Sequence, residues 1–134
     1  MNFTINPFTG QLDELSSGGS SGGGGFTWRA VTAADNPVNM LAGFAYVANG
    51  LLPVEFVLPA AAQFGATFKV VGHGNLWTVG QNAFQTQILG IDSTTVGVLG
   101  YIQATLIMDA VELTCIEANL DFKATLWIGN PTVV

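Results

Sequence analysis

From residue 26 onward, short apolar runs alternate with Gly, Asn, Asp and Pro, and within the runs apolar and polar positions tend to alternate. That two-residue period is the mark of half-buried strands. It predicts strands over residues 26–32, 43–48, 54–58, 67–71, 77–81, 84–89, 100–108, 110–117 and 122–128. No segment carries a 3.6-residue period, and turn signals recur about every 8 to 12 residues, which predicts an all-β, antiparallel sandwich or barrel-like domain. The alternation is clearest where Val111, Leu113 and Cys115 point one way and Glu112 and Thr114 the other. Residues 101–108 and 110–117 are expected to form a hairpin turning at Met108-Asp109. Pro59 closes the strand before it, because proline cannot donate to a ladder. Residues 102–107 alternate only weakly, the pattern of a strand with one face on a core and the other against a neighbouring subunit.

The first quarter of the chain reads differently. Residues 16–25 are only Ser and Gly, a flexible linker whose coil dimensions give a reach of roughly 17 Å. The run lacks the Lys-Ser or Lys-Thr of a phosphate-binding loop and opens no helical pattern. Before it, residues 1–15 are too short to fold alone. They space Phe3, Ile5, Phe8, Leu12 and Leu15 around the turn residues Asn6, Pro7 and Gly10, as a segment does when its order comes from a partner surface. The expected division is a peptide of residues 1–15, a linker of residues 16–25 and a β-rich domain of residues 26–134.

Composition adds a reason for assembly. The 134 residues are 49% hydrophobic and 9% charged, with a mean hydropathy of +0.47. Monomers in water avoid large apolar patches, so such a chain is expected to hide apolar surface against copies of itself. No run reaches the length of roughly 18 apolar residues that a membrane helix needs, and residues 1–10 lack a basic stretch before an apolar one. A net charge of -6, with Arg29, Lys69 and Lys123 the only cations, disfavours nucleic acid. Cys115 is alone, which excludes an internal disulfide, fits assembly in a reducing cytoplasm and suggests a buried thiol.

Two stretches resemble known proteins. Residues 5–13, INPFTGQLD, are similar to the NPFTGxLD peptide near the start of many phage tail-fibre and other structural proteins. The chain from about Trp28 to the end resembles a β-rich module of phage fibre-type virion proteins, through Gly43, Tyr46, Leu58-Pro59, Gly65, Gly72, Trp77, Gln81-Asn82-Ala83, Gln85, Gly90, Thr94-Thr95, Gly97, Gly100, Asp109, Glu112, Leu113, Cys115 and Gly129-Asn130. This resemblance implies a trimeric β-structured appendage of a virion, assembled in the host cytoplasm, with Phe3, Ile5, Asn6, Pro7, Phe8, Gly10 and Leu12 as an attachment peptide for other virion proteins. Position on the particle is not implied, so a capsid decoration protein and a host-glycan receptor module stay open as alternatives. The chain departs from the pattern at Phe84, where a second Gly commonly follows Gln-Asn-Ala, and at Val98-Leu99, where the pattern is more polar.

Candidate chemistry is sparse, and no cofactor or catalytic group is expected. One His and one Cys cannot complete a zinc site within a chain, although a trimer could bring three His73 to its axis. Gly-x-Ser-x-Gly spacing occurs only inside the Ser/Gly run of residues 16–25, where no strand-to-helix turn could make it a nucleophile elbow. Asp109 and Glu112 could be read as a glycosidase pair, but their spacing around a turn suits charges that break up an apolar hairpin. The oxygen-rich turn Asp92-Ser93-Thr94-Thr95 could suit calcium and is more simply an Asx or Ser/Thr turn. Trp77, Gln81, Asn82 and Gln85, continued by Gln87, form an amide and aromatic stripe. It is expected either to bind sugar or to stack around a trimer axis, the second being favoured.

Overall fold

The computed structural model describes residues 3–5, 12–14 and 25–134. Its strands are β1 (Phe3–Ile5), β2 (Leu12–Glu14), β3 (Thr27–Val31), β4 (Val38–Asn39), β5 (Phe44–Ala48), β6 (Val54–Val57), β7 (Thr67–Gly72), β8 (Trp77–Gly80), β9 (Thr86–Leu89), β10 (Asp92–Ser93), β11 (Tyr101–Gln103), β12 (Ala110–Glu117), β13 (Asp121–Ile128) and β14 (Thr132–Val133). A seven-stranded sheet runs β10-β9-β13-β12-β7-β5-β3, and a five-stranded sheet runs β14-β11-β8-β6-β4. Separately, β1 and β2 pair antiparallel, with Ile5 opposite Leu12. Of the predicted attachment residues, Asn6, Pro7, Phe8 and Gly10 lie outside the described residues, as does residue range 15–24, which takes in nearly all of the linker.

Each inner face follows from alternation. On the seven-stranded sheet Tyr46, Ala48, Phe68, Val70, Val111, Leu113, Cys115, Phe122 and Ala124 turn inward; on the five-stranded sheet Val54, Phe56, Trp77, Val79 and Ile102 do. They meet in one sandwich-like core, where Phe68 packs edge-on against Phe122 and Tyr46 against Phe56. The all-β expectation is met, but the antiparallel one is not. The pairs β3/β5, β5/β7, β9/β13, β4/β6 and β6/β8 are parallel, so both sheets are mixed. The chain achieves this by stepping between sheets: β5, β6, β7 and β8 alternate from one to the other, and each returns beside its predecessor in the same direction.

The expected hairpin of residues 101–108 with 110–117 does not form. Strand β11 ends at Gln103 and pairs with β8 and β14, whereas β12 pairs with β7 and β13 in the opposite sheet. Residues 104–109 cross between the sheets, and Asp109 anchors that crossing. Its carboxylate is fully buried and accepts the backbone N–H groups of Thr105 at 2.9 Å, Leu106 at 3.1 Å and Asn130 at 2.9 Å. Its backbone carbonyl accepts the Trp77 indole N–H at 2.8 Å and the Gly72 N–H at 2.8 Å. Gly129 passes so close, at φ +85°, that a Cβ there would overlap Asp109 Oδ1. Asp109 therefore holds a loop in place, rather than guarding an exposed hairpin edge.

Candidate functional site

The amide stripe predicted from sequence is inside the subunit. Trp77, Gln81, Gln85 and Gln87 are buried, and Asn82 is half-buried. Gln81 Oε1 accepts from the Thr94 hydroxyl at 2.8 Å and from Gln87 Nε2 at 3.1 Å, while its Nε2 donates to the carbonyls of Gln85, Thr95 (2.8 Å) and Gly97 (3.0 Å). Gln85 donates to the Pro59 and Asn119 carbonyls and accepts the Asn82 N–H; Gln87 donates to the Val79 carbonyl, and Asn82 to that of Leu58. Backbone that leaves a ladder still needs hydrogen-bond partners, and these side chains supply them to the loops after β8 and β10. Among the described residues Gln87 Oε1 is the one buried side-chain polar atom without a partner. Apart from half-buried Asn82 and the unpartnered Gln87 Oε1, these groups are buried and bonded to their own chain, which leaves no open stripe for a sugar or a symmetry-related neighbour.

Other sequence candidates are dispersed. His73 is exposed, with its backbone N–H on the Ala48 carbonyl at 3.0 Å. The Thr94 hydroxyl, which a calcium site in that turn would need, is spent on Gln81 and Gln87. Cys115 is buried as expected, its thiol 3.2 Å from the Glu117 carbonyl. Glu112 faces outward and pairs with Lys69 at 3.9 Å, away from the buried Asp109, so the two carboxylates form no pair.

The prominent surface feature is the outer face of the seven-stranded sheet. Register aligns Trp28, Ala45, Lys69, Glu112 and Leu126 across β3, β5, β7, β12 and β13. Two residues along, Ala30, Val47, Val71, Ala110 and Ile128 form a second row with no polar side chain. The only charges in these rows are Lys69 and Glu112, both side chains about a quarter exposed, and the Lys69 ammonium also lies 5.8 Å from the Phe26 ring and 5.5 Å from that of Trp28. Leu126 remains 50% exposed and Ile128 60%. The crossing that caps the end of β7 adds exposed Leu106, Ile107 and Met108.

One edge of this face is also open. Strand β9 covers β13 only from Asp121 to Lys123, so residues 124–128 are paired through β12 alone. Thr125 is the extra residue of a bulge there, and beyond it Leu126, Trp127 and Ile128 are exposed. Open edges with apolar side chains are the usual sites of strand addition and sheet association. The expectation of self-association drawn from composition did not point to this face, because outward and inward rows look equally apolar in a one-dimensional pattern.

No protein-family model and no curated protein matches this chain.

Proposed function

We propose that this protein is a non-enzymatic structural subunit of a phage virion, self-associating as a homotrimer through the outer face of its seven-stranded sheet and tethered to the particle by residues 1–15. The observation that carries the self-association is the five-strand apolar row ending at Ile128, beside a paired and partly covered Lys69 and Glu112. With both charges of these rows neutralising each other, copies of a chain of net charge -6 meet there without like-charge repulsion. Burial of such rows against a copy supports the assembly by the same hydrophobic effect that holds the core.

The virion role rests on the resemblance of residues 5–13 and of the β-rich module to phage fibre-type proteins. The tether reading adds that several peptides per assembly raise apparent affinity through effective concentration. Deleting residues 1–15 tests it: particles assembled with the shortened chain should lack the protein, while the purified shortened chain keeps its oligomeric mass. Normal incorporation would refute the tether. Labelling the protein on intact particles separates a fibre from a capsid decoration.

A further inference from the structure

The outer face of the five-stranded sheet differs in kind from that of the seven-stranded one. Register sets Glu55 opposite Thr78, Thr78 opposite Gln103 and Gln103 opposite Thr132, a row of polar side chains across four strands. The adjacent row is Val57, Gly80 and Tyr101. Gly80 has no side chain, so a hollow opens between Val57 and the Tyr101 ring, and Val98 closes one side of it. The resulting groove has a volume of about 420 Å³. That is within the size range of small-molecule sites.

Among the described residues the side chains of Glu55, Thr78, Tyr101 and Gln103 make no hydrogen bond or ion pair within the subunit. This sets them apart from the hydrogen-bonded amides between the loops of the same molecule. Together they offer a carboxylate acceptor, two hydroxyls and an amide that both donates and accepts, beside an aromatic face and an aliphatic wall. No cation lines the groove, which disfavours phosphate, sulfate or a sialic acid. A single carboxylate is too few for a metal. A ligand that fits has one C–H face for Tyr101 and Val57 and a rim of neutral hydroxyls for Glu55, Thr78 and Gln103.

We infer that this groove is a binding site for a neutral hexopyranose unit of a carbohydrate. The inference goes beyond the architectural role and does not depend on it. Binding would use the face of the sandwich opposite the self-association surface, so an assembled oligomer would still display its grooves.

The test is a printed array of neutral, sialylated and phosphorylated oligosaccharides probed with the labelled full chain, followed by titration calorimetry with the strongest glycan. Gly80→Val fills the hollow; a Cβ at residue 80 meets only the Phe56 carbonyl at 3.5 Å, an ordinary contact, so the backbone tolerates it. Wild type should bind at least one neutral glycan, Gly80→Val should lower that binding more than tenfold, and Gln103→Ala should lower it several-fold. Ile91→Ser, at a fully exposed position in the turn between β9 and β10 of the other sheet, should leave it unchanged. Should Gly80→Val fail to fold, Thr78→Ala and Gln103→Ala decide the matter. Binding of no neutral glycan, binding of charged glycans alone, or binding that survives the groove variants overturns the inference. Self-association is read by mass, so a negative array leaves that proposal standing.

Discussion

Replacing Asp109 with Ala removes the acceptor that holds three backbone N–H groups and, at 3.4 Å, the Thr105 hydroxyl. Hydrogen bonds to a charged partner contribute about 1.5 to 3 kcal/mol each, and an abandoned buried donor is the larger part of that loss. Thr105, Leu106 and Asn130 are surface residues, so water takes over some of the lost bonding. The expected loss is therefore about 4 kcal/mol, below the simple sum. For a domain of this size each kcal/mol moves the unfolding midpoint by about 4 °C or more, so Asp109→Ala should lower Tm by roughly 15 to 20 °C. Calorimetry and chemical denaturation check this, the latter through a lower midpoint at unchanged slope. Gly129→Ala attacks the same lock from the other side, by steric overlap and by its positive φ. The two substitutions should be strongly non-additive, because the first removes the carboxylate that the second displaces. A loss below about 1 kcal/mol for Asp109→Ala, or simple additivity in the double variant, would refute the anchoring role of this carboxylate.

Phe84 sits at φ +66° with its side chain 79% exposed, so Phe84→Gly removes left-handed strain without losing packing. Strain of about 1 to 3 kcal/mol, offset by up to about 1 kcal/mol of glycine backbone entropy, predicts a net gain near 1 kcal/mol and a Tm higher by several degrees. A lower Tm would contradict it. Gln85→Leu leaves the Asn82 N–H and the Pro59 and Asn119 carbonyls without their partner, and should lose about 3 kcal/mol by urea unfolding. An unchanged midpoint would show that the amide network is dispensable.

Several elements were legible in the chain because one face of each strand is buried. The alternation of Val111, Leu113 and Cys115 maps onto the core face of β12, and Pro59 lies just beyond the end of β6. Strand direction was not legible. A two-residue period is identical in parallel and antiparallel pairs, and only the stepping of β5 to β8 between sheets sets it. Residues 104–108 resembled the end of a strand because Leu106, Ile107 and Met108 are apolar, yet they are exposed on a crossing loop. The signal that could have revealed the crossing is Asp109 itself, a lone carboxylate in an apolar stretch followed twenty residues later by Gly129-Asn130. The glutamines misled for a related reason: polar side chains are expected outside, whereas here they replace ladder partners for loop backbone. Phe84 holds a positive φ, a backbone conformation that a glycine suits better.

On the function proposed above, copies of this chain meet through the outer face of the seven-stranded sheet. Burying the exposed halves of Leu126 and Ile128 is worth about 1 kcal/mol each, so Leu126→Ala with Ile128→Ala should weaken association about thirty-fold per subunit interface. Leu126→Asp should do more, since it sets an unpaired carboxylate in the contact. The decisive measurement is the mass by light scattering across a dilution series, for wild type and for Leu126→Asp with Ile128→Asp. A stable trimer is expected, which the double variant converts to a folded single subunit. A wild-type chain that stays single at all concentrations, or a variant whose mass does not change, contradicts it.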